Sequence, residues 1–176
     1  MLHAWVQQHA PSLTWWCPQL PASPHAAWQL MRDGTRGWPV HSMAVLGSSL
    51  GGFYATVVAE ALGCQAVVLN PAVDPARDLV RHVGEQTAYH DPTRHFEFKA
   101  EYIDELVALK PASLADPARY AAVIAKGDEL LDWREMSQRY AGSHMLLLED
   151  SDHALSDFAQ QMPFVLDFLR LRPHTV

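Results

Sequence analysis

The sequence predicts an α/β fold, a mostly parallel sheet with helices on both of its faces. Three observations carry this reading. Short apolar runs of strand length alternate with segments of helical periodicity along the chain. One strand-to-helix passage, Met43 to Ala59, turns sharply through Gly47-Ser48-Ser49-Leu50-Gly51-Gly52. The polar residues best suited to chemistry follow directly on predicted strands, the end of such sheets where ligands bind. With 176 residues, the chain reads as a single domain over 1–176, long enough for a sizeable core.

Taken in order, Met1 to His9 reads as a helix and Leu13 to Cys17 as a strand, ended by the turn Pro18-Gln19-Leu20-Pro21. Pro24 to Arg32 is helical, with proline near its start, where its missing N–H costs nothing. Ser42 to Leu46 is the next strand. Gly51 to Leu62 is a helix whose Ala55, Val58, Ala59 and Leu62 share a face, and Gly63 suits its C-terminal cap. Gln65 to Leu69, Tyr120 to Ala125 and His144 to Leu148 are strands of the buried type. Asp132 to Tyr140 is a helix between the last two. Leu155 to Leu169 is a closing helix, and Phe158, Met162, Val165, Leu166 and Leu169 form its core-facing stripe. Residues 74–117 are long for a connection and rich in charge. Helices are expected there near Pro75–Val83 and Phe98–Leu109, forming either a lid or pocket wall, or a surface hairpin over the sheet.

Composition narrows the function classes. Hydrophobic residues make up 49% of the chain and the formal charge is −7, which fits a globular protein and argues against a nucleic-acid footprint. No apolar run is long enough to cross a membrane. The first nine residues lack a basic start and an apolar signal core, so a cytoplasmic protein is expected. Cys17 and Cys64 have no metal spacing and are expected to be free, packed thiols. The ten histidines form no H-x-H or H-E-x-x-H unit. His90 and His95 flank Asp91, but Pro92 interrupts any helix that would face them together. No metal site is expected.

Gly47-Ser48-Ser49-Leu50-Gly51 has the form G-x-S-x-G, the nucleophile elbow of serine hydrolases. The serine of such a turn sits in a strained backbone conformation while strand and helix approach closely around it, so side chains at Gly47 and Gly51 are expected to collide. Only Ser49 has glycines in both flanking places. A serine hydroxyl needs a base to take its proton, and the base needs an orienting carboxylate. In the chain order Ser, acid, His, Asp128 follows the strand Ala121–Ala125 and His153 follows the strand Met145–Leu148. Glu129, Asp132, Asp150 and Asp152 compete with Asp128 as the acid. Asp132 is the second choice, although it could instead cap the following helix. The backbone N–H of Leu50 is the expected oxyanion donor. This chemistry calls for no metal or organic cofactor.

The chain resembles the YqiA-type esterase family, small bacterial members of the α/β-hydrolase superfamily. The likeness runs through Pro18-Gln19-Leu20-Pro21, Gly47 to Thr56, Asn70-Pro71-Ala72-Val73, Gly127 to Arg134 and Asp152 to Phe158. It implies an α/β-hydrolase fold and hydrolysis of small acyl esters or thioesters, with Ser49, Asp128 and His153 as nucleophile, acid and base. An acyl-CoA thioesterase is the close alternative. Members of the family open with an apolar strand and a His-Gly loop ahead of the first helix. Met1 falls inside that helix here, so strand and loop are expected to be missing, through a late start site or a shortened chain. Two consequences are expected. The second oxyanion donor, which that loop supplies, is lost. A gap is also left in the sheet, between Leu13–Cys17 and the elbow strand. A hydrolase-fold protein that binds without cleaving is the alternative from another class.

Overall fold

The computed structural model describes residues 1–88 and 91–171. His90 and His174, two of the ten histidines, lie outside the described residues. Four parallel strands form the main sheet in the order β1-β2-β5-β6. They are β1 (Ala44–Ser48), β2 (Gln65–Leu69), β5 (Tyr120–Ala125) and β6 (His144–Leu148). Along the chain between β2 and β5, β3 (Gly84–Ala88) and β4 (Asp91–Phe98) pair antiparallel as a separate two-stranded sheet. The helices are α1 (Leu2–His9), α2 (Pro24–Gly34), α3 (Leu50–Leu62), α4 (Pro75–Leu79), α5 (Glu101–Leu109), α6 (Trp133–Arg139) and α7 (Phe158–Phe168).

Alternation along the central strands divides the core into two layers. Ala66 and Val68 of β2 and Tyr120, Ala122 and Ile124 of β5 point to one face, where they meet α3, α2 and α6. Val67, Leu69, Ala121, Val123 and Ala125 point to the other, where Leu2 of α1 and Val165 of α7 cover them. Every residue of β5 is buried, which is why its sequence is a continuous apolar run rather than an alternating one. Each fully buried valine or isoleucine here contributes roughly 1.5–3 kcal/mol. The stripe on α7 packs into the second layer throughout, with Phe158, Met162, Leu166 and Leu169 beside Val165.

Helix starts follow local chemistry. Ser23 Oγ accepts the N–H of Ala26 at 3.1 Å, and Pro24 takes the first helical place of α2. Asp132 caps α6 by accepting the Arg134 N–H at 2.9 Å. Helix α3 has no polar face because residues 52 to 59 are all buried between the sheet and its neighbours.

Three expectations are corrected. Leu13–Cys17 is not a strand, because among the described residues no other strand lies beside it to take its hydrogen bonds. Its aromatic residues lie on the surface against neighbouring groups instead. Trp15 stacks on His3 with ring centroids 5.0 Å apart, and Trp16 lies against Trp38 and over Gly34. The expected gap in the sheet is therefore absent, and β1 stands as an edge strand paired with β2 alone among the described residues. Cys64 is a buried free thiol, but Cys17, on this surface segment, is exposed rather than packed.

The 74–117 segment also differs in detail. Helix α4 runs on through a 3-10 turn at Val80–His82, and α5 starts at Glu101 rather than near Phe98. Phe98 belongs to β4, where it is buried and meets Tyr102 edge-on. The hairpin gave no apolar alternation to read, since Glu85, His95 and Glu97 are polar and exposed beside a Phe96 that is 37% exposed.

Truncating the side chain that anchors α6 tests this packing. Met136 is 1% exposed, so Met136→Ala should lower unfolding free energy by about 2–5 kcal/mol. Val107 on the outer face of α5 is 60% exposed, and Val107→Ala should stay within about 0.5 kcal/mol. Urea denaturation of both variants checks the contrast.

Candidate active site

The turn between β1 and α3 is held by its main chain. Ser49 has φ 54° and ψ −122°, a conformation that a residue with a side chain rarely adopts. Its N–H donates to Leu69 O at 2.9 Å, at the end of β2. Its carbonyl accepts the N–H of Gly52 at 2.9 Å and of Ala72 at 3.0 Å. These bonds leave the Ser49 side chain at the carboxyl edge of the sheet, above the N-terminus of α3.

Close approach explains two glycines, and one of them is not the residue expected. A Cβ at Gly47 would lie 1.9 Å from Gly51 O, so strand and helix meet there with no room for a side chain. A Cβ at Gly51 would meet nothing within 4 Å. The crowded helical position is Gly52, whose added Cβ would lie 2.7 Å from Pro71 Cβ. Gly51 contributes its carbonyl to the contact with Gly47, while its own α-carbon faces open space.

The acid and base candidates arrive on the loops after β5 and β6. Asp128 Oδ2 lies 2.8 Å from His153 Nδ1, and His153 Nε2 lies 3.0 Å from Ser49 Oγ. The Asp128 side chain is fully buried and that of His153 is 15% exposed. The second oxygen, Asp128 Oδ1, accepts the N–H groups of Leu130 and Leu131, each at 2.8 Å. With three donors around it, the carboxylate is solvated by protein in place of water. Because it can only accept, Nδ1 carries the imidazole proton and Nε2 is left to accept from the serine hydroxyl.

The competing acids do other things. Asp132 caps α6. Asp152 accepts the Ser156 N–H at 2.9 Å and the Ser156 hydroxyl at 2.6 Å, and these bonds hold its carboxyl below the usual carboxylate range. Glu129 Oε2 accepts the main-chain N–H of His153 at 3.0 Å, which lowers its carboxyl in the same way. It reaches the backbone of the histidine and not the ring.

A cleft of about 510 Å³ opens over Ser49 and His153. Leu50, Ala72, Leu130 and Leu131 line it beside these two residues, and Pro75, Arg77, Asp78, Leu79, Arg81 and His82 of α4 and the following turn form one wall. Arg77 is neutralised in place by a two-pronged contact with Glu135, at 2.8 Å for each bond, and by Asp78 at 2.8 Å. Leu50 is the first residue of α3, so its N–H has no acceptor one turn back in the helix.

Sequence reasoning gave Asn70 no role, naming it only within the Asn70-Pro71-Ala72-Val73 segment of the family likeness. Its side chain is wholly buried and joins three segments at the site. The one signal was its place directly after a buried strand and before a proline, where a polar residue must find partners inside the protein.

Residues 1–170 match the family described as "Uncharacterised protein family (UPF0227)". The chain belongs to this family. It is the YqiA-type family to which the motifs point. Solved structures share the architecture. Mouse alpha/beta hydrolase domain-containing protein 10 is 15% identical, with 84% of this chain and 70% of that one covered and a TM-score of 0.62. An alpha/beta superfamily hydrolase from Oenococcus oeni is 14% identical, with 87% and 77% covered and a TM-score of 0.55. Est1E from Butyrivibrio proteoclasticus is 13% identical, with 84% and 72% covered and a TM-score of 0.56. At these identities the likeness is one of fold, and the fold is that of the α/β-hydrolases.

The two glycines of the elbow should respond differently to the same substitution. Gly47→Ala drives a methyl group into main chain 1.9 Å away and should destabilise by more than about 3 kcal/mol or prevent folding. Gly51→Ala enters open space in the first turn of a helix and should be neutral or stabilising by up to about 1 kcal/mol. Thermal melts of the two variants beside the unsubstituted chain read this out.

Proposed function

We propose that this protein is a serine hydrolase that cleaves carboxylic (acyl) esters through an acyl-enzyme. The observation that carries the reading is the unbroken series Asp128 Oδ2, His153 Nδ1, His153 Nε2 and Ser49 Oγ, linked at 2.8 and 3.0 Å on the wall of a cleft. Ser49 Oγ attacks the acyl carbonyl carbon as His153 Nε2 takes its proton. The carbonyl π electrons move to the oxygen, which the Leu50 N–H stabilises together with the N-terminal end of the α3 dipole. Collapse of this intermediate breaks the bond to the leaving oxygen, which receives the proton from Nε2. Water, deprotonated by the same nitrogen, then adds to the acyl-enzyme and releases the acid and Ser49. Asp128 holds the tautomer and balances the imidazolium charge between these steps.

The cleft supports a small substrate, since its volume lies in the range of small-ligand sites. Its apolar lining, from Leu50, Ala72, Leu130 and Leu131, suits an acyl chain. The free thiols Cys17 and Cys64 fit a reducing, cytoplasmic setting. One observation favours thioesters of an anionic carrier, such as an acyl-CoA, as a second reading. Arg81 lines the cleft and, among the described residues, pairs with no carboxylate, its one side-chain bond being to His82 at 3.3 Å. For an anionic substrate, Arg81→Glu should raise KM several-fold at low salt and lose that effect at high salt. An equal response of a neutral ester overturns this second reading.

The principal test is active-site labelling with a fluorophosphonate probe, followed by hydrolysis of a short-chain p-nitrophenyl ester. Labelling should require Ser49 and vanish in Ser49→Ala. Asp128→Asn, which presents an amide to Nδ1, should slow both reactions by roughly four orders of magnitude. A folded protein that does not label, or that labels equally with and without Ser49, rules out the hydrolase reading and favours a binding function.

A further inference from the structure

Three groups on separate loops meet behind the candidate base. Asn70 follows β2 and is 0% exposed, with φ +40°. Its N–H donates to Val123 O of β5 at 2.9 Å. Its side-chain oxygen accepts the N–H of Ala125, the last residue of β5, at 2.7 Å. Its side-chain NH2 donates to the main-chain carbonyls of Asp152 and His153, at 2.9 and 3.0 Å. The orientation of this amide is forced, because Ala125 N–H can only donate and the two carbonyls can only accept. On the far side of the same residue, Glu129 Oε2 accepts the His153 N–H at 3.0 Å.

We propose that Asn70 and Glu129 are positioning residues for the base, gripping His153 by its main-chain carbonyl and N–H so that its ring bridges Asp128 and Ser49. With both ends of the residue held, only its two side-chain torsions remain, and the Asp128 contact at Nδ1 sets those. Asn70 also refers the grip to the right frame. It is the residue next to Leu69, whose carbonyl holds the Ser49 N–H. The nucleophile and the base are thus located from two consecutive residues at the end of one strand. Glu129 does the same for the acid, being the neighbour of Asp128. Amide and carboxylate are each needed in their own place: the carbonyls call for a donor in the buried position, and the N–H calls for an acceptor at the rim.

This inference rests on the serine-hydrolase reading, and its test separates the two. Asn70→Asp keeps the oxygen that accepts from Ala125 and replaces the donating NH2 by an oxygen facing two carbonyls. Glu129→Ala removes an exposed acceptor, and Glu129→Gln restores one. Fluorophosphonate labelling rates, ester kcat and KM, and the low-field proton resonance of the His153 Nδ1–H bond to Asp128 are measured on the full chain. Asn70→Asp should fold, label roughly 10- to 100-fold more slowly, lose kcat with KM little changed, and lose or broaden the low-field resonance. Glu129→Ala should show a smaller loss of the same kind, about 10-fold, recovered by Glu129→Gln. If Asn70→Asp does not fold, the two Glu129 variants decide alone, by the same rates and resonance. Ser49-dependent labelling of the unsubstituted chain with unchanged rates and resonance in the folded variants overturns the grip and leaves the hydrolase reading standing. Absence of Ser49-dependent labelling in the unsubstituted chain defeats the hydrolase reading. The resonance then decides the grip by itself, and its persistence in the variants overturns it.

Discussion

Main chain touches main chain where β1 turns into α3, and the carbonyl of Gly51 occupies the space that a side chain at position 47 would need. The contact lets the helix start one residue after the serine, and Ser49 takes the strained backbone angles that such a turn demands. Strain of this kind persists only where the surroundings over-determine it. Here they do so through the Ser49 N–H on Leu69 and the Ser49 carbonyl under Gly52 and Ala72. Leu69 and Ala72 belong to β2 and its exit, so the turn is only as well placed as β2 itself. That strand lies between β1 and β5, with four of its five residues buried.

From β2 the order passes to the rest of the site. Asn70 extends the strand by one residue and reaches β5 and the histidine loop. The Asp128 loop follows β5, and the His153 loop follows β6, the next strand in the sheet. A buried carboxylate would be costly without partners. Asp128 has two backbone donors and an imidazole, so its burial is compensated and its geometry is fixed by the same three contacts. The wall of the cleft has a different origin. It is contributed by α4 and the turn after it, whose Arg77 is tied to Glu135 at the start of α6.

Much of this was legible in the chain because the relevant signals are local. The apolar runs at Gln65–Leu69, Tyr120–Ala125 and His144–Leu148 became strands at those residues. The proline at the start of α2, the cap at Asp132 and the stripe on α7 were legible for the same reason. The failures are equally specific. Leu13–Cys17 has the composition of a strand, yet a strand exists only where another strand supplies its hydrogen bonds, and here the segment runs over the surface with its tryptophan rings resting on His3 and Trp38. The β3–β4 hairpin pairs main chain to main chain and carries the polar, exposed Glu85, His95 and Glu97, so no alternation announced it. Gly51 matched the motif, but the crowding falls on Gly47 and Gly52, a distinction of a few ångströms that spacing does not encode.

By itself the sequence determined the alternating α/β plan, the turn that exposes Ser49, and the two strand ends from which an acid and a histidine could come. It did so because hydrophobic period, glycine placement and chain order are properties of neighbouring residues. Only the tertiary structure decided which of several carboxylates meets the imidazole ring. Asp128, Glu129, Asp132 and Asp152 are all near in sequence to the required positions, and they part company in space: one reaches Nδ1, one the histidine's backbone, and two cap their own segments. It also decided that Asn70, 83 residues before His153, lies directly behind it. Contacts of that kind depend on how β2, β5 and β6 stack side by side, and that is fixed by packing across the sheet rather than by anything within reach along the chain.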